Sequence, residues 1–323
     1  YSKGHFQKEL KRWLHFRVKL GLGMKKKIKL VDKGFGTKIK KGLVLTGNLN
    51  WDNGATYKGA LKSQKQQIPH GYGIYFFPEH GQMRNVLGID LAIIKYYSGN
   101  FKNALFHGKG KFKSTGEYEY SGEFKKGNFD GKGVIKYWNT EETFDGIFKN
   151  NEKISGKWVL PDGNKYEGQI KNNMPDGFGS VKYKLSGQKY IGNFKDGLFH
   201  GKGTQFSKNG SIYEGGFKNG ERHGYGCVSA KKDKSYYHGQ WVNGLRSGNG
   251  IFDFGDGGIY KGRWQNDTMH GKGILTESKG KQAGTSHSGN WKNGQMDGIY
   301  IFKDKSEKKR KELWREDKFI KIV

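Results

Sequence analysis

Large apolar side chains in this sequence seldom adjoin one another; they recur at alternate positions with glycine between them. The stretch Tyr190-Ile-Gly-Asn-Phe-Lys-Asp-Gly-Leu-Phe-His-Gly-Lys-Gly203 shows the pattern, and Tyr213-Glu-Gly-Gly-Phe-Lys-Asn-Gly-Glu-Arg-His-Gly-Tyr-Gly226 repeats it. Further copies begin at Tyr57, Tyr97, Tyr120, Phe144, Tyr166, Tyr237, Tyr260 and His287, making ten units whose starts lie mostly 22–24 residues apart. With the leading residue as position one, that position is aromatic in nine units, position three is glycine in all ten, and position five is Phe or Trp in eight. A period of two places positions one, three and five on one face of a strand. The inner face so predicted reads Tyr97-Gly99-Phe101, Tyr190-Gly192-Phe194, Tyr213-Gly215-Phe217, Tyr237-Gly239-Trp241 and Tyr260-Gly262-Trp264. A glycine between two large rings leaves space for a ring to lie across it.

Positions seven and eight carry turn chemistry, as in Asp196-Gly197, Asn219-Gly220, Asn243-Gly244 and Asn293-Gly294. These pairs supply the positive φ angles of a tight hairpin. Asn151, Asn173 or Asp267 stands in where glycine is missing, and Ala104 is the misfit. A second strand runs from the Gly-x-Gly element, as in Gly201-Lys-Gly-Thr-Gln-Phe206, and a second turn such as Lys208-Asn-Gly210 leads onward. Each unit is therefore a β-hairpin, and consecutive hairpins predict one antiparallel meander. At about 4.8 Å per strand, ten units run on the order of 95 Å.

This pattern resembles the MORN repeat (membrane occupation and recognition nexus), with its Tyr-x-Gly-x-Phe/Trp-x-Asn-Gly-x-x-His-Gly-x-Gly signature, over roughly residues 47–302. The resemblance implies an elongated, twisted all-β solenoid of stacked hairpins, with short helical or extended basic segments at both ends. It also implies a repeat-only protein, of a kind that is often cytoskeletal, including in ciliary axonemes. Some family members add a kinase or methyltransferase domain, for which the 21 residues after 302 are too few. The unit at Phe144 departs from the pattern by a one-residue slip that displaces Gly156 and Trp158, and the unit at Tyr57 has three extra residues before His70. An insertion near 78–95 contains the alternating run Val86 to Ile94, which reads either as a degenerate hairpin or as a partner-binding insertion.

The ends differ from the middle. Phe6, Leu10, Trp13, Leu14 and Val18 fall at helical spacing among basic residues, so residues 1–46 read as an amphipathic helix followed by a Lys-rich arm. That helix suits a cap on the first hairpins, an anionic membrane or an acidic protein. Residues 303–323 read as a basic helix from Ser306 to Lys318, either a lid on the last hairpin or a partner-binding tail. The chain opens on Tyr1, as processing or truncation would leave it, and its basic, acid-poor start suits a mitochondrial import history.

Composition narrows the functional classes. Four prolines and the single Cys227 exclude a disulfide scaffold and a cysteine-based zinc site, and fit a reducing, intracellular setting. No apolar run reaches membrane-spanning length, and no secretory signal opens the chain. The formal charge is +29, with +12 over residues 1–46. That balance calls for an acidic partner: a tubulin-like protein surface first, or an anionic membrane. Nucleic acid is disfavoured, because the aromatics are committed to the inner face and few remain for stacking on bases.

Candidate chemistry is sparse. His70, His107, His200, His223 and His270 share one position of the repeat, which Asp130, Asp176, Asp297 and Ser247 fill elsewhere. Successive repeats are about 10 Å apart, too far for zinc, so a local turn hydrogen bond is the better account. No nucleophile, phosphate-loop or dinucleotide motif appears, so no enzyme, cofactor, metal or small-molecule substrate is expected. A lysine follows the position-five residue in eight units: Lys62, Lys102, Lys125, Lys149, Lys171, Lys195, Lys218 and Lys292. These read as edge protection or as a ladder facing regularly spaced negative charge. Lys11, Arg12, Lys25, Lys26 and Lys27 join them as candidate anion-binding residues.

Overall fold

A computed structural model describes residues 45–323 apart from 52–53, 64, 66 and 78–94. The predicted N-terminal helix and arm, with Lys11, Arg12, Lys25, Lys26 and Lys27, lie outside the described residues, as does nearly all of the 78–95 insertion. The chain divides into two compact units, one ending at Gly131 and the other running from Lys132 to Val323. The described residues form 24 strands and a single 3-10 turn at Gly280–Gln282. The all-β meander expected from the repeat is what forms.

In the first unit, Thr46–Asn50, Thr56–Leu61, Pro69–Phe76, Tyr96–Lys102, Leu105–Lys113 and Tyr118–Lys125 each pair antiparallel with the next. In the second, the same neighbour-to-neighbour pairing runs from Thr143–Lys149 onwards. The register is set by glycine. Position-three glycines face the glycines of the Gly-x-Gly elements, so Gly192 sits between Gly179 and Gly203, and Gly203 between Gly192 and Gly215. One row of glycines thereby crosses the second unit from Gly146 to Gly289. A β-carbon at Gly192 would stand 2.5 Å from the α-carbon of Gly203, so neither position admits a side chain.

The tyrosine at position one lies back over this row. Tyr97, Tyr120, Tyr190, Tyr213, Tyr237 and Tyr260 are fully buried. Their hydroxyls answer a need created by the sheet itself. Between positions three and five the register shifts, as between Gly192 and Phe194, so position four has no partner in the returning strand of its own hairpin and pairs only with the preceding strand, as Asn193 does with Phe178. The position-one hydroxyl donates to the carbonyl of position four: Tyr97 to Asn100 at 2.8 Å, Tyr190 to Asn193 at 2.9 Å, Tyr213 to Gly216 at 2.9 Å, Tyr237 to Gln240 at 3.0 Å. A part-buried carbonyl left without a partner in its own hairpin is thus satisfied from within the repeat.

The slipped repeat at Phe144 keeps this logic by dropping both halves of it. Its leading residue has no hydroxyl, and its position-four residue, Ile147, stays paired with Ser155. The register shift there follows Ile147 instead, which absorbs the missing residue.

Position-one rings meet the position-five ring edge-on, as for Tyr190 and Phe194 at 5.1 Å and 88°. They also meet position ten of the second strand. Phe106, Phe129 and Phe199 stack flat on Tyr97, Tyr120 and Tyr190, with centroids 3.7–3.8 Å apart.

Hairpin turns take positive φ at both central residues, 49° and 83° at Asp196 and Gly197, and even Ala104 adopts 63°. The tips interlock between repeats. Gly220 N–H donates to the Phe199 carbonyl and Gly244 N–H to the Arg222 carbonyl, both at 2.9 Å.

The C-terminal helix expected over 306–318 does not form. Lys309–Arg315 and Lys318–Ile322 make a further hairpin, with Tyr300 opposite Glu312 and Ile299 opposite Leu313. The charged run carries the repeat spacing in altered residues: Arg310 at position one, Glu312 at three, Trp314 at five and Phe319 at ten. Glu316 and Asp317 take the turn angles at seven and eight, and Asp317 N–H donates to the Met296 carbonyl as earlier tips do. The strand Gly298–Lys303 offers a row of backbone donors and acceptors that an isolated short helix could not match.

Candidate interaction surfaces

Two faces of the sheet have different chemistry. Positions one, three and five and their cross-strand partners turn inward; positions two, four and six turn to the opposite face. The eight candidate lysines at position six, Lys62, Lys102, Lys125, Lys149, Lys171, Lys195, Lys218 and Lys292, are all exposed. Lys62 lies one residue beyond the strand Thr56–Leu61, whereas others close their strands at the hairpin turn, opposite the first residue of the returning strand: Lys171 faces Met174, Lys195 faces Leu198 and Lys218 faces Glu221. In the second unit the interlocked tips hold Lys171, Lys195 and Lys218 at repeat spacing, with Gly197 N–H donating to the Pro175 carbonyl and Gly220 N–H to that of Phe199. The row is interrupted where Val242 and Gln265 occupy the same position.

The shared histidine position does not converge on an ion. Among the described residues no three His, Cys, Asp or Glu side chains are grouped to hold a metal. At Asp176 the hydrogen bond is not local. Asp176 Oδ2 accepts from Asp196 N–H of the next hairpin at 3.3 Å and so links those two repeats, whereas Nδ1 of His70 and of His223 is buried without a hydrogen-bond partner.

Sequence reasoning missed the buried charges. At position ten of the slipped repeat, Lys153 replaces the stacking phenylalanine and is 7% exposed. Its ammonium lies 4.0 Å from the Trp158 ring centre and 3.0 Å from Glu142 Oε1, which also accepts from Trp158 Nε1 at 2.9 Å. Burial lowers the Lys153 pKa, with Glu142 opposing the shift. Arg222 and Arg246 fill the same position in later repeats and pack over Tyr213 and Trp264 at 4.6 and 4.3 Å. The signal was present: position ten reads Phe, Phe, Lys, Pro, Phe, Arg, Arg, Met, Met from Phe106 to Met296.

A second cluster ties in the last hairpin. Glu312, 2% exposed, accepts from Arg310 Nε at 2.8 Å and Trp314 Nε1 at 3.0 Å, and lies 3.3 Å from His287 Nε2. The Arg310 guanidinium covers Phe302 at 4.2 Å. Burial lowers the His287 pKa despite Glu312 beside it.

Comparison with known proteins follows the same spacing. The MORN repeat model matches nine segments, 68–82, 97–116, 120–137, 166–184, 190–212, 213–229, 237–259, 260–281 and 287–299, together more than half of the chain. The chain belongs to the MORN-repeat family. The hairpins at Phe144 and Arg310 lie outside those segments yet pair antiparallel as the others do, both with the register shift moved to follow position four. No curated protein matches the chain. Among solved structures it is similar to the TCP10 domain of Danio rerio CPAP in complex with a peptide of Danio rerio STIL, at 11% identity and a TM-score of 0.30. That alignment covers 79% of this chain and 96% of the other. A likeness at that level carries no argument about partners.

Proposed function

We propose that this MORN-repeat protein is a non-catalytic scaffold subunit of a large assembly. It holds proteins along its sheet faces and grips an acidic partner through its basic turn edge, in a cytoskeletal setting such as a ciliary axoneme. The observation that carries the reading is the position-six lysine row of the second unit, with Lys171, Lys195 and Lys218 exposed at equivalent turn sites of successive hairpins. Such a row meets an extended acidic surface many times over, and its summed attraction is salt-dependent. Position ten and the position-one rings, which hold most other reactive-looking groups, are occupied with packing.

The test uses the full chain with Lys171, Lys195 and Lys218 reversed to Glu. Binding to a poly-glutamate peptide is expected to fall at low salt while the thermal melt is unchanged. Unchanged binding removes the reading. Stronger dependence on phosphatidylserine vesicles than on the peptide turns it into a peripheral membrane adaptor. A fluorescent fusion then decides between axoneme, mitochondrion and cell cortex.

A further inference from the structure

On the face opposite the tyrosines, one row of cross-strand neighbours changes character along the second unit. Its earlier part runs Glu167, Ser180, Ile191, Thr204, Glu214, Cys227 and His238, mostly polar or acidic. Its later part runs Ile251, Lys261, Ile274, Ser288, Ile301 and Lys311. Isoleucine now recurs on every second strand, with a polar or basic residue between. Ile251, Ile274 and Ile301 are 37%, 45% and 45% exposed, and Ile299 beside them is 57% exposed. Arg263 and Lys272 flank the row, both exposed.

At such exposure each isoleucine leaves a large part of its side chain in solvent, and three in register form a patch rather than scattered surface residues. We propose that this face docks an acidic amphipathic α-helix of a partner protein, lying across the strands. The proposal rests on the scaffold reading and names one of its surfaces. Three relationships choose this occupant. Isoleucines two strands apart are separated by about 9.6 Å, close to the rise of about 10.5 Å over seven residues of helix. An extended chain advances about 6.7 Å per two residues and falls out of step. The strands beneath are hydrogen-bonded on both sides, so a partner strand has no edge to join here. The surrounding charge is basic, from Lys261, Arg263, Lys272 and Lys311, which calls for glutamate or aspartate on either side of the helix's apolar stripe. Aliphatic rather than aromatic rungs give bases nothing to stack on.

The experiment uses the full chain and a fluorescein-labelled helical peptide of three heptads, leucine along one stripe and glutamate on both flanks, read by anisotropy. Ile274→Asp with Ile301→Asp is expected to weaken binding by at least about tenfold. Lys261→Glu with Lys272→Glu and Lys311→Glu weakens it and flattens its salt dependence. Thermal melts of both variants, matching the parent within a few degrees, establish that they fold. Equal binding of a composition-matched peptide with its leucines scrambled overturns the proposal. So does an isoleucine double variant that binds as the parent does, or tighter, isoleucine-dependent binding of phosphatidylserine vesicles or a single-stranded oligonucleotide. Loss of binding on reversing Lys171, Lys195 and Lys218 alone places the helix on the turn edge; this face is then wrong while the scaffold reading stands.

Discussion

Tyr300 donates its hydroxyl to the carbonyl of Asn290 from the neighbouring strand. In eight other repeats that bond comes from the position-one tyrosine of the same strand. Here position one is His287, and Tyr300 fills the vacated space so closely that a β-carbon on Gly289 would run into its ring. The repeat has exchanged the strand that supplies the phenol and kept the contact. Tyr300→Phe should therefore cost about 1 kcal/mol and at most about 3, the cost of one part-buried carbonyl left unpaired. Tyr300→Ala should cost about 3–5 kcal/mol, since it also opens a cavity over the glycine row. Urea melts measure both. Adding His287→Tyr to Tyr300→Ala should recover part of the loss; no recovery would mean that position one cannot take a phenol here.

Lys153 and Glu142 test the tolerance of position ten for charge. Removing one member strands the other, and removing a buried partner costs about 3–5 kcal/mol. Glu142 is the more exposed, at 16% against 7%, so water relieves it more readily than it relieves Lys153. Glu142→Leu should thus destabilise more than Lys153→Phe, which restores the residue found at Phe106, Phe129 and Phe199. The double variant should match or exceed the parent in denaturant midpoint, because ring stacking replaces a desolvated pair. A double variant weaker than both singles would show the ion pair to be favourable on balance.

Much of this was legible in the sequence, for physical reasons that also mark where legibility stopped. Position three had to be glycine because another backbone approaches within contact of it, and Gly192 and Gly203 alternate with rings that fix their face. The turn pairs were legible because few residues accept two successive positive φ angles. Position ten was not, since Phe199, Arg222 and Met269 share a flat or flexible shape rather than a polarity, and pattern reading sorts by polarity. The segment from Ser306 to Lys318 misled for the same reason. Arg310 and Glu312 are helix-favouring and charged, yet they occupy a ring site and a glycine site as a mutually satisfied pair. The isoleucine row was hidden because its order runs across strands, where neighbours are some twenty residues apart in sequence.

Ala104 occupies the eighth position of its hairpin with φ 63°, where Gly197, Gly220, Gly244 and Gly294 stand in other repeats. The left-handed region costs an L-residue about 1–2 kcal/mol. Glycine removes that strain and returns part of the gain as added freedom of the unfolded chain. Ala104→Gly should stabilise by about 0.5–1 kcal/mol, a rise of about 1–4 °C in melting temperature for a unit of this size. The N–H that donates to the Pro69 carbonyl is kept, so no contact is lost. Gly220→Ala should move the midpoint the other way by a similar amount. If both substitutions leave it unchanged, the turn strain is being relieved by local rearrangement.

The tyrosine ladder sets an upper pH limit on the fold. Burial pushes the phenols of Tyr190, Tyr213 and Tyr237 up to about 12. In the unfolded chain the same groups ionise near 10. The folded state therefore holds the protons more tightly, and the stabilisation this gives is complete below pH 10. Above 10 the unfolded chain gains by losing protons while the folded chain cannot follow, so stability declines and this contribution is gone once the pH passes 12. Because each ring lies over the glycines of its neighbours, an ionised phenolate has no place to turn within the sheet. The phenolate absorbance of the ladder, taken as the difference between the parent and a variant with Tyr190, Tyr213 and Tyr237 replaced by Phe, should thus appear together with the loss of strand circular dichroism, in one transition between pH 10 and 12. Replacing Tyr213 and Tyr237 by Phe should lower stability at neutral pH and shallow the alkaline decline. A gradual rise in that difference absorbance with the strand signal intact would show that the ladder hydroxyls reach solvent without opening the hairpins.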